Sequence, residues 1–117
     1  MAVTAAETRV FLQRRDDERR AHVDARTERL RALLPTAAER LRGEFGATEV
    51  WAFGSLTTGH AHAESDVDLA VRGVSARDYF VALAALGDLF GTDVDLVALE
   101  TAVPALAARV TREGEPL

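Results

Sequence analysis

The chain has 117 residues, 48% apolar and 28% charged, with a formal net charge of −5. That balance excludes a disordered polymer and fits one globular domain over residues 1–117, with a core of modest size. It has no cysteine, which excludes a disulfide framework and a thiolate metal site.

All fourteen basic residues are arginine, which removes a phosphate-loop lysine and Schiff-base chemistry. The charge is uneven. Residues 1–42 carry ten Arg against seven Asp and Glu, a net of +3, and residues 43–117 carry four against twelve, a net of −8. An acidic half does not suit nucleic acid, whose phosphates need clustered positive charge. It suits carboxylates offset by metal ions.

The first fifteen residues lack a basic segment followed by an apolar one, so no signal peptide is expected. No apolar run approaches the roughly 18 residues that span a bilayer. A cytoplasmic protein with no membrane contact is the expectation. From Ala5 to Leu34 there is no Gly or Pro, and the stretch reads as helix. Between Gln13 and Arg29 its only large apolar residue is Val23. A helix so polar bridges solvent or lies against a partner, so residues 1–34 read as a polar helical arm and 35–117 as the core. Leu30, Leu33, Leu34, Ala37, Ala38, Leu41 and Phe45 then follow helical spacing. Pro35 either kinks one long helix or opens a second, and Gly43 and Gly46 end the run.

Glu49-Val50-Trp51-Ala52-Phe53 reads as a strand that stops at Gly54-Ser55. Residues 56–65 read as a loop. Asp66 to Val71 starts with polar–apolar alternation and reads as a second strand. Ser75 and Asp78 approximate a capping box for a helix with Phe80, Leu83, Leu86 and Phe90 on its apolar face, closed by Gly91. Val94 to Ala98 is a third strand. A short helix around Pro104–Val110 and a polar tail complete an α/β or α+β domain.

Side chains alternate faces along a strand. Asp66 and Asp68 therefore share one face, while Val67 and Leu69 point to a core on the other. Two carboxylates on one face repel, and make sense with divalent cations such as Mg²⁺ between them. If the third strand pairs in register, Asp95 joins them, although Asp93, two residues earlier on the same face, could stand in for it. Gly54 lets the backbone approach a phosphate, because no Cβ intervenes, and Ser55 adds a backbone N–H and a hydroxyl. The bland alternative for Asp66 and Asp68 is the solvent face of an edge strand. His60 and His62 have ligand-like spacing but read as solvated, and Glu64 reads as a loop carboxylate. Trp51 reads as core rather than as a base-stacking platform, and Tyr79 carries no assigned role.

The pattern Gly54-Ser55, ten residues, Asp66-Val67-Asp68 resembles the polymerase-β-like nucleotidyltransferases, and within them the minimal nucleotidyltransferases. The resemblance covers about residues 35–113 and includes the strand before Gly54 and Val94-Asp95-Leu96-Val97. It implies a mixed β-sheet flanked by helices, with the polar N-terminal helix as an extra. It implies that Asp66, Asp68 and Asp95 are catalytic metal ligands for two Mg²⁺ ions, and that Asp95 helps deprotonate the attacking hydroxyl. Gly54 and Ser55 would hold the triphosphate of ATP. Minimal nucleotidyltransferases of this kind are paired with a HEPN-domain ribonuclease toxin, so AMP transfer to a tyrosine of that partner is implied, with this chain as antitoxin in a hetero-oligomer. The alternative is an antitoxin that neutralises by binding alone. One departure stands out: many relatives carry an arginine soon after Gly-Ser, and Leu56-Thr57-Thr58-Gly59 has none. Metal, or an arginine from a partner, would have to offset the phosphate charge.

Overall fold

The structure is a computed structural model and describes residues 25–58 and 66–117. The helix expected before residue 25, and His60, His62 and Glu64, lie outside the described residues. The chain is helical over residues 25–32, here α1, and Leu33 is a single turn residue. α2 then runs Leu34–Phe45 with Pro35 in its first turn, where a missing N–H leaves no bond unmade. Pro35 therefore opens a second helix. Gly43 lies inside α2, and Gly46, left-handed at φ 72°, ends it.

β1 is Glu49–Phe53, and α3 is the single turn Ser55–Thr58. The sequence pattern indicated loop for residues 56–58. Thr57 explains the turn, since its backbone N–H and its hydroxyl both donate to Gly54 O, at 3.1 and 3.0 Å. β2 is Val67–Arg72, α4 is Ala76–Phe90 and β3 is Val94–Ala98. Ser75 caps α4 as expected, accepting from Asp78 N. α5 runs Pro104–Glu113, three residues beyond the expected end. The polar tail is partly a strand: β4, Glu115–Pro116, lies along β1, and Leu117 N donates to Val50 O at 2.8 Å. An otherwise unpaired edge of β1 takes up this short segment, and an edge position tolerates Pro116.

The sheet order is β3-β2-β1-β4. β1 runs antiparallel to β2 and β4, and β2 runs parallel to β3 across the α4 crossover. Val50, Ala52, Val67, Leu69, Val71 and Leu96 face α2 and α4 in the larger core, with Leu41, Ala82 and Leu86. Leu30 of α1 belongs to that core as well. On the other face a smaller cluster joins Ala70, Leu99 and Val110 to Trp51, Phe53, Val97, Leu106 and Ala107. Trp51 is thus a packing residue under α5. β2 is central, and Val67 to Val71 are buried on both faces, so that run is apolar apart from Asp68. Among the described residues no helix is long and apolar enough to cross a membrane.

Leu69 is fully buried at the centre of this sheet. Leu69→Ala is expected to cost about 2–5 kcal/mol of folding stability, read from the midpoint of urea unfolding.

Candidate active site

The alternation of β2 and β3 puts Asp68 and Asp95 together. Their registers pair Asp68 with Asp95, Leu69 with Leu96 and Ala70 with Val97. Directly paired residues share a face. Leu69 and Leu96 lie in the larger core and Ala70 and Val97 in the smaller cluster. Asp68 and Asp95 therefore lie on the α5 face, one step nearer the start of their strands. Asp68 is 7% exposed and is the buried charged side chain among the described residues, while Asp95 is exposed. Like charges directly opposite on neighbouring strands are destabilising.

Gly54 follows β1, whose Phe53 pairs with Asp68. Its φ is +72°, and a Cβ built there would collide with the Asp68 carboxyl group. The glycine is thus required by the carboxylate as well as by the turn, a reason the sequence does not disclose. Ser55 opens α3 directly after it.

Asp66 departs from the expected strand position. β2 begins at Val67, and the N–H groups of Asp66 and Val67 both donate to Asp93 O, at 3.2 and 3.3 Å. Asp66 is therefore a bend at the mouth of the sheet. Arg26 of α1 donates through Nη1 to Asp66 Oδ1 at 3.0 Å, and its Nη2 lies 2.8 Å from Oδ2. Arg26 Nη2 also donates to Thr92 Oγ1 at 3.2 Å, and the Thr92 hydroxyl donates to Asp66 Oδ2. The hydrogen bond from Arg26, then that from Thr92, holds the Asp66 carboxyl below the usual aspartate range. Arg31 of α1 reaches the turn on the other side of the site, donating to Leu56 O at 2.6 Å and pairing with Glu115 at 3.1 Å.

The donors are carboxylate oxygens, suited to a hard divalent cation. Asp68 and Asp95 form a pair, and Asp66 is engaged by Arg26. Among the described residues no three His, Cys, Asp or Glu side chains are gathered so as to hold a metal ion. Asp93 contributes its backbone oxygen to the bend. A cavity of about 470 Å³, lined by Tyr79, Phe80, Ala98 and Glu100 among others, opens past the far ends of β2 and β3, away from the carboxylates. Tyr79 donates its hydroxyl to Leu96 O, and burial, then the Asp95 charge, pushes its phenol up. Arg26, Arg31 and Thr92 are contacts that the sequence pattern missed. Arg26 lies 40 positions from Asp66 in a stretch that reads as a solvated face, and carries no local signal.

Two outcomes follow from this geometry. Gly54→Ala is expected to cost about 1–3 kcal/mol through its positive φ and the crowded carboxylate. In an Asp68→Ala background the cost is smaller, a coupling that a double-mutant cycle reads. The Asp66 carboxyl titrates below its unfolded value, so its pairing stabilises the fold fully above the ordinary aspartate range and is lost as pH falls through the lowered value. Arg26→Ala is expected to move the Asp66 titration up towards that range, and Thr92→Ala to move it less, followed by carboxyl-carbon NMR.

The chain matches known proteins in sequence and fold. The family model Polymerase beta, Nucleotidyltransferase matches residues 37–117. The chain is 34% identical over 89 residues to Protein adenylyltransferase MntA of Thermococcus cleftensis, covering 74% of this chain and 90% of that protein. Its fold is similar to a solved structure of a proposed minimal nucleotidyltransferase, with TM-score 0.67 and 35% identity over 78% of this chain and 95% of the other. It is also similar to a toxin–antitoxin structure with AMP-PNP, with TM-score 0.60 and 26% identity over 72% of each chain. The matched region takes in β1, the Gly54 turn, both aspartate-bearing strands and α5, and the chain belongs to the polymerase-β nucleotidyltransferase family.

Proposed function

We propose that the chain transfers AMP from ATP, with Mg²⁺, to a tyrosine hydroxyl of a partner HEPN ribonuclease toxin, and so acts as the antitoxin of a cytoplasmic hetero-oligomer. The observation that carries the reading is buried Asp68 opposite Asp95 and against Gly54. Carboxylates brought to one place suit a divalent cation, whose charge offsets theirs. Likeness to a protein named for adenylyl transfer supports AMP as the group moved. The toxin–antitoxin relative with an ATP analogue supports the donor and the kind of partner.

In this reading Asp68 and Asp95 would hold Mg²⁺, joined by Asp66 once it leaves Arg26, and Gly54 and Ser55 would hold the triphosphate. Bound Mg²⁺ would supply positive charge to the attacking and leaving oxygens. Asp95 helps take the proton of the tyrosine hydroxyl as its oxygen attacks the α-phosphorus. The bond from that phosphorus to the bridging oxygen breaks, and pyrophosphate leaves. A second reading, neutralisation by binding alone, draws on the Asp66–Arg26 pair, which engages one of the three carboxylates.

One incubation with ATP, Mg²⁺ and the neighbouring-gene product, followed by intact mass, decides between them. The partner is expected to gain adenylate mass, with Asp68→Asn slowing the gain by at least about a hundredfold. Neutralisation that persists in Asp66→Asn/Asp68→Asn, with no mass gained by the wild-type reaction, would sink the enzymatic reading.

A further inference from the structure

The segment that would hold the triphosphate has no positive charge of its own. From Gly54 to Val71 the sequence contains no arginine or lysine. The three aspartates add negative charge, and a nucleoside triphosphate adds more. Two ions would not neutralise the whole, so a further cation within reach is favoured. Arg26 is at the mouth of the site, holding both oxygens of Asp66 and touching Thr92.

We propose that Arg26, carried by the N-terminal helix, is a phosphate-binding residue for the nucleotide, resting on Asp66 until metal and nucleotide displace it. The inference builds on the reading of Asp66 as a metal ligand. Three features support it. A guanidinium and a divalent cation compete for the same two carboxylate oxygens, so a metal on Asp66 frees Arg26. The Arg26 side chain is 49% exposed, and an exposed ion pair is weak, so the exchange costs little. α1 also stays anchored when Arg26 lets go, by buried Leu30 and by Arg31 on Leu56 O and Glu115. The freed guanidinium therefore remains at the mouth of the site, beside Asp66 and Thr92, and its planar fork suits phosphate oxygens.

Binding of fluorescent analogues of ATP and of AMP, each with Mg²⁺, tests this on the whole chain. Arg26→Ala is expected to weaken the ATP analogue by roughly tenfold or more and to leave the AMP analogue, which lacks the outer phosphates, unchanged. Arg26→Lys is expected to restore part of the loss. A purely structural role for Arg26 would weaken both analogues together or neither, and either result overturns the proposal. Asp68→Asn separates the two levels. If it removes ATP binding while Arg26→Ala binds like wild type, this inference alone fails. If it leaves ATP binding and adenylate transfer intact, the reading of the site fails and takes this one with it.

Discussion

Two carboxylates face each other across adjacent parallel strands, and the rest of the site is arranged around that opposition. The pairing of Asp68 with Asp95 is enforced from behind. Val67 with Val94 and Leu69 with Leu96 are in the same register and lie in or against the larger core. A slip by one residue would turn every one of these apolar side chains to the wrong face. Opposed like charges are destabilising, whereas each buried Val or Leu contributes about 1.5–3 kcal/mol and several of them share this register. The core wins, and the two charges stay together.

The second constraint is the crossover. Parallel strands need a long connection, and α4 supplies it, returning the chain so that β2 and β3 start at the same end of the sheet. β1 runs the other way and ends there. Gly54 thus meets Asp68 at the one end where β1 stops and β2 and β3 begin. α5 and its cluster fill the remainder of that face, so the carboxylates lie at the rim of a packed surface. α1 spans this rim, with Arg26 on Asp66 and Arg31 on the turn after Gly54.

Much of this was legible in the residues themselves. Alternation in Val67-Asp68-Leu69 and Val94-Asp95-Leu96 is enough to assign faces, and register then brings the aspartates together. Ser75 as a cap follows from local chemistry, whereas Pro35 read either as a kink or as a first-turn residue until the structure decided it. What could not be read is what depends on distant partners. Asp66 lies just before the strand, with its N–H on Asp93 O, and its carboxylate is claimed by a residue 40 positions away. The strand at Glu115–Pro116 exists because β1 has an edge to fill, which no seven-residue tail reveals. Gly54 was read as a glycine that lets a phosphate approach, and its collision with Asp68 is a three-dimensional fact that no local pattern carries.

The central claim is that Asp68 and Asp95 together draw a divalent ion to the start of β2 and β3. Paramagnetic Mn²⁺ added to the ¹⁵N-labelled chain tests it residue by residue. The expected result is amide broadening centred on residues 53–55, 66–68 and 94–96, absent in Asp68→Asn/Asp95→Asn. Broadening centred elsewhere, or unchanged in that double variant, would contradict the account.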